Sequence, residues 1–238
     1  MDLSHELSLL IAERVAAGLK RKAIVNPAKW AEHYRILPTG PWTFKYYPWT
    51  KEMHNSNAEM NVGMKAAQMG FTETVLNLTF YNMDVKSRDC LYVLPSKTPD
   101  ASNFSAARFD SALELSPHIA GMYSEVKNVG HKKAGSANLY IRGSKSKPGL
   151  KSVPVAFLVL DELAEFVQEN ISLAIERTSG QMTKEIWMIS TPTISGQNIE
   201  KFYAESTQEE FFFNCPSCSK KILLKFPESL VITAEHGE

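Results

Sequence analysis

The chain has 238 residues, 44% of them hydrophobic, and a formal net charge of zero. That length and composition supply a full core for one α/β domain plus small appendages, while the neutral balance excludes nucleic-acid binding driven by bulk charge alone. No run approaches the roughly eighteen apolar residues of a membrane-spanning helix and no signal-peptide core opens the chain, so a soluble intracellular protein with no membrane partner is expected; three cysteines make no disulfide framework there.

In chain order, Leu3, Leu7, Leu10, Ile11, Val15 and Leu19 recur at helical spacing and predict an amphipathic packing helix over 1–20. Pro27 opens a second helix, PAKWAEHYRIL, stopped by Pro38. The next segment, PTGPWTFKYYPW, is aromatic and turn-rich, and its rings suit either stacking on a purine or local core. Met60, Val62 and Met64 alternate as a short strand, KAAQMGFT follows, and TETVLNLTFYNM reads as a helix. Residues 90–94 read as a buried strand, and PDASNFSAARFDSAL as a helix with Phe104 and Phe109 inward. Residues 116–152 alternate strand-like pieces with Gly, Ser and Lys. Their basic cluster, 142–151, is expected to form a flexible loop that is either solvated or faces phosphate, from DNA or a neighbouring subunit's nucleotide.

Residues 155–160 form the unbroken apolar run of a strand buried on both faces, and it ends in Asp161 and Glu162. A helical stretch through Arg177, the strand EIWMIS and the turn STPT at 190–193 complete the pattern. Alternating strands and helices predict an α/β fold: a mostly parallel sheet flanked by helices, with right-handed crossovers. The tail carries Cys215-Pro-Ser-Cys218 between EEFFFN and KKILLKF. Two thiolates from one hairpin turn are half of a zinc ribbon, with His236 the one downstream candidate to extend the ligand set.

Two of these segments carry chemistry. In the usual phosphate loop, G-x-x-x-x-G-K-[ST], backbone N–H groups surround phosphate, the lysine meets the β and γ oxygens and the hydroxyl holds Mg²⁺. Here Gly70 and Thr72 occupy the second glycine and hydroxyl positions, Phe71 takes the lysine position, and Lys65 stands where the first glycine would be. A cation therefore reaches the same anion from the loop's other end, and the following helix points its positive end at it. Asp161 and Glu162 sit at the carboxyl end of their strand, where α/β folds place chemistry. Asp161 is the expected Mg²⁺ carboxylate, and Glu162 the group that orients or deprotonates a water. A hydroxyl-rich turn after the neighbouring strand, beginning at Ser190 and Thr191, is placed to sense the γ-phosphate.

The displaced Lys65, the Gly-aromatic-Thr of 70–72, LVLDE, STPT and CPSC, in that order and covering most of the chain, resemble the large terminase subunit of tailed bacteriophages, in particular its lambda-like branch. The resemblance implies an ASCE-type P-loop NTPase core over 41–208, preceded by a helical segment over 1–40 and followed by a zinc-ribbon-like or linker segment over 209–238. It implies ATP and Mg²⁺ as cofactors, with Zn²⁺ at Cys215 and Cys218, and a motor acting at the prohead in the host cytoplasm. Its partners would be double-stranded DNA, the portal protein, the small terminase subunit and further copies in a ring. By the same likeness Lys65, Gln68, Gly70, Phe71, Thr72 and Glu73 hold the phosphates, Tyr46 and Tyr47 the base, and Ser190 and Thr191 couple hydrolysis to motion. Arg142, and after it Arg177, are candidates to complete a neighbour's site, and the family's nuclease activity is expected only in a segment beyond this chain. A helicase-like DNA-remodelling ATPase and a non-catalytic capsid-docking or zinc nucleic-acid module are the competing readings.

Overall fold

A computed structural model describes residues 8, 9, 11, 12, 24–123, 127–151, 153–224 and 229. Most of the helix expected over 1–20, and His236, lie outside the described residues.

From residue 24 onward, helices α1 (Pro27–Tyr34) and α2 (Trp49–His54) lie on either side of a small ribbon, β1 (Ile36–Leu37) with β2 (Gly40–Pro41). The second expected helix therefore stops at Tyr34. Arg35 turns to extended backbone, and Ile36 and Leu37, expected as helix, pair with β2 instead. Strand β3 (Met60–Met64) leads into helix α3 (Phe71–Asp84), and β4 (Cys90–Leu94) into a run of helical turns over 97–115. This run contains α4 (Ser102–Phe104) and α5 (Ser111–Leu115), each preceded by a wider turn, Lys97–Ala101 and Ser105–Asp110. It buries Phe104 and Phe109, as the apolar spacing predicts. After α6 (Pro117–Met122) come β5 (Lys127–Asn128), β6 (His131–Ala134), β7 (Ala137–Gly143), α7 (Lys147–Lys151), β8 (Phe157–Asp161), α8 (Gln168–Ile175), β9 (Glu185–Ser190) and α9 (Asn198–Ala204). A last hairpin pairs β10 (Phe213–Asn214) with β11 (Lys221–Ile222).

The main sheet has the order β3-β9-β8-β4-β7-β6-β5. The first five strands are parallel; β6 and β5 close one edge antiparallel. Strand alternation divides the core in two. Tyr92, Phe157, Val159, Trp187 and Ile189 face the layer of α1, α3 and the 97–122 helices. Leu91, Val93, Leu158, Leu160, Ile186 and Met188 face Leu163, Ile171, Ala174 and Ile199. Coverage on both sides is why β4, β8 and β9 read as unbroken apolar runs.

β3 behaves differently, because it is the sheet's edge: Asn61 and Gly63 are its buried residues, while Met60 is exposed and Val62 and Met64 are only partly covered. The helix expected through Arg177 is broken at Phe166 and Val167, whose extended backbones separate a single turn at 163–165 from α8. The basic cluster at 142–151 is also ordered rather than a loop, with Arg142 in β7 and Lys147–Lys151 in α7.

Candidate active site

Residues 65–70 join the edge strand to a helix whose residues 74–83 are all buried. Four polar side chains in that stretch survive burial because each is bonded. Thr74, Thr79 and Asn82 donate to carbonyls one turn back, and Asn77 bridges Arg35 and His54. Gly70, at φ 77°, makes the left-handed turn into α3, a conformation glycine adopts without cost. Gln68 is also left-handed, at φ 60°. The loop's first N–H, on Lys65, donates to Ser190 O at 3.0 Å, so the loop is anchored to the end of β9.

Four predicted groups converge beyond the carboxyl ends of β3 and β8. Lys65 Nζ donates to Glu162 Oε1 at 3.2 Å, and Thr72 Oγ1 to Asp161 Oδ1 at 3.4 Å. Tyr92, one strand over, donates its hydroxyl to Asp161 Oδ2 at 2.7 Å. Burial pushes the Asp161 carboxyl up to about 6, with Glu162's charge adding; Tyr92, Lys65 and Thr72 oppose it. A carboxylate held dry at this cost, facing a hydroxyl, is an oxygen donor set suited to Mg²⁺, which takes one or two carboxylates and completes its shell with water and phosphate. Glu162 has φ 57°, a left-handed backbone for a non-glycine residue, and its side chain is 39% exposed. Backbone strain of this kind clusters at functional sites, which makes Glu162 a candidate. Thr72, Asp161 and Glu162 line a cleft of about 330 Å³ with Leu94, Pro95, Phe104 and Arg108.

The other candidates are placed as follows. Phe71 packs its ring against Gly63, close to where a Cβ there would stand, so its side chain belongs to the core layer rather than to an anion site. Glu73 accepts from Arg35 and Arg108 at 2.7 Å each, and is therefore held as a counter-ion. Trp42 and Phe44 are core, whereas Tyr46 and Tyr47 are exposed, and Tyr47's ring comes within contact of Gly70. The local-core reading of the aromatic segment thus holds for Trp42 and Phe44. Ser190 is fully buried; its hydroxyl accepts from Ala164 N and donates to Thr191 O, tying β9 to the turn after Glu162.

Arg142 lies on the sheet face opposite Tyr92 and Asp161, its guanidinium donating to the Gly130 and Ile141 carbonyls. Arg177 sits at the amino end of β8, where its carbonyl accepts from Val155 N and its side chain donates to Lys151 O. Neither approaches this chain's own cleft. Cys215 and Cys218 lie in the turn of the tail hairpin, where backbone N–H groups of Cys218 and Ser217 hold the Cys215 thiol below its usual range. No cluster of three or more metal-binding side chains occurs among the described residues.

Tyr92, Arg35 and Arg108 were not legible as site residues. Their one sequence signal is position: Tyr92 lies in a buried strand, and Arg108 in the helical run leaving that strand's carboxyl end, where α/β sites lie.

Residues 37–237 match the family model of the phage terminase large subunit gpA, ATPase domain. The chain belongs to this family. Over 95% of its length it is 25% identical to the terminase large subunit of Escherichia phage lambda, and over 94% it is 24% identical to that of Enterobacteria phage P21. It spans 39% and 41% of those relatives' lengths. Among solved structures the large terminase of bacteriophage HK97 superposes with a TM-score of 0.64 at 11% identity, over 76% of this chain and 40% of that one. The fold of this gpA-type domain is that of the P-loop NTPases, as the displaced phosphate loop implies.

Proposed function

We propose that the chain hydrolyses ATP as the motor portion of a terminase large subunit, driving double-stranded DNA into a prohead. The observation that carries this is the convergence of Lys65, Thr72, Asp161 and Glu162 beyond the ends of parallel strands. Backbone N–H groups of residues 66–72 and the Lys65 ammonium surround the phosphates, while Tyr47, beside the loop, lies within reach of the base. Thr72 and Asp161 would hold Mg²⁺, which when bound neutralises charge on the phosphate oxygens. Glu162 orients the attacking water and accepts its proton, and its release from Lys65 frees both groups for that work. Ser190 connects the loop to the chain after Glu162, a path by which loss of phosphate would move α9. Arg142 and Arg177, away from their own cleft, are offered to a neighbour in a ring, with portal protein and small subunit as further partners. Cys215 and Cys218 supply two thiolates toward a Zn²⁺ site.

Equilibrium dialysis with labelled ATP, with and without Mg²⁺, tests the reading. Wild type should bind ATP in a Mg²⁺-dependent way, and Lys65→Ala should weaken binding by about ten-fold or more. Absence of binding at millimolar ATP, or equal binding by Lys65→Ala, would remove the phosphate-loop assignment.

A further inference from the structure

The cleft has a charge imbalance that the motif residues do not resolve. Its lining carries four carboxylates, Asp100, Asp161, Glu162 and Glu165, and a single cation, Arg108. The usual loop-lysine position is Phe71, and Lys65 is 6% exposed with Glu162 as its partner. A polyphosphate entering this space therefore needs a second positive group near its outer end.

Arg108 has the placement for it. It rises from the wide turn Ser105–Asp110, is half exposed, and its Nη1 donates to Glu73 Oε1 at 2.7 Å. Arg108 and Thr72, the hydroxyl proposed for Mg²⁺, line the same cleft. On its other oxygen Glu73 holds Arg35, which is 3% exposed and is fixed further by Asn77 Oδ1 at 3.0 Å and Ile36 O at 2.8 Å. Arg35 thus neutralises Glu73 whether or not Arg108 stays. The Arg108 pair, half open to water, is weak and cheap to exchange; the Arg35 pair is buried and is not.

Resting on the ATP-binding reading above, we propose that Arg108 is a ligand, from within the same chain, for the terminal phosphoryl group of a nucleoside triphosphate. Glu73 is its resting counter-ion. When a triphosphate binds, the guanidinium exchanges the Glu73 carboxylate for γ-phosphate oxygens, and the 97–115 run closes over the cleft. A diphosphate offers nothing at that position and leaves Arg108 on Glu73, so the residue discriminates triphosphate from diphosphate.

The test compares binding of ADP and of the non-hydrolysable analogue AMP-PNP, each with Mg²⁺, to wild type, Arg108→Ala and Arg108→Gln. Arg108→Ala should weaken AMP-PNP by about ten- to a hundred-fold while leaving ADP within about two-fold. Arg108→Gln, which keeps a hydrogen-bond donor on a shorter stem but not the charge, should lose most of the same preference. Unaltered AMP-PNP affinity in both variants, or equal weakening of both nucleotides, overturns the proposal. If wild type binds ADP, the nucleotide-site reading stands whichever way Arg108 falls; if wild type binds neither nucleotide, both fail together.

Discussion

Lys65 and Glu162 hold one another at 3.2 Å while Asp161, next in chain to Glu162, is almost completely dry. On the proposed reading these surroundings divide the tasks of two adjacent carboxylates, the buried Asp161 for a cation and the more exposed Glu162 for water. A separate residue shows what the core costs. His54 is 1% exposed, with Nδ1 2.7 Å from Thr50 O and Nε2 3.3 Å from Asn77 Nδ2, so both nitrogens are used by the neutral ring. Burial lowers its pKa to about 4. The unfolded chain then binds the extra proton between about pH 6.5 and 4, and stability falls as pH drops through that window, by about 2 kcal/mol at pH 5. Asp161, raised to about 6, runs the opposite way, so the comparison must be with His54→Gln at each pH. Urea midpoints of wild type should drop relative to this variant between pH 7 and pH 5; parallel pH profiles would contradict a buried neutral His54. Asp161, Glu162 and the loop residues were readable as candidates because their signal lies in local spacing. Tyr92, Arg35 and Arg108 gain theirs from neighbours distant in sequence, which spacing does not encode.

Among elements, the junction of β7 with the 97–115 run positions the cleft's outer wall. Ser144 N donates to Leu94 O and its hydroxyl to Pro95 O, both at 2.8 Å. A Cβ on Gly143 would stand 2.1 Å from Lys97 N and 2.4 Å from Ser96 C, backbone atoms that have nowhere to go. Gly143→Ala should therefore cost about 1–3 kcal/mol by overpacking and weaken ATP binding by displacing the segment that carries Arg108. Thermal or urea denaturation together with nucleotide titration checks both; a variant as stable as wild type would show that this junction is loose. The sequence made β4, β8 and β9 legible, since strands covered on both faces must be apolar throughout. It misplaced the buried face of β3, because an edge strand beside a phosphate loop needs small Gly63 under Phe71 more than it needs a hydrophobic row. The segment at 142–151 was misread for a different reason: Pro148 and Gly149, loop formers by type, lie inside the short helix Lys147–Lys151.

At the scale of the whole molecule, five parallel strands form a platform between two core layers, and the carboxyl ends of β4 and β8 open onto the cleft. Motor action, on the proposed reading, consists in small shifts of the wall at 97–115 and of the β9-to-α9 turn against this platform. The most direct measurement is a paired titration and turnover assay on Glu162→Gln with Mg·ATP. ATP affinity should stay within a few-fold of wild type while turnover falls by about 10² to 10⁴, because the amide still fits beside Lys65 but cannot take a proton from water. Wild-type turnover in the variant, or loss of binding in proportion to turnover, would contradict the assignment of Glu162 and with it the hydrolytic site.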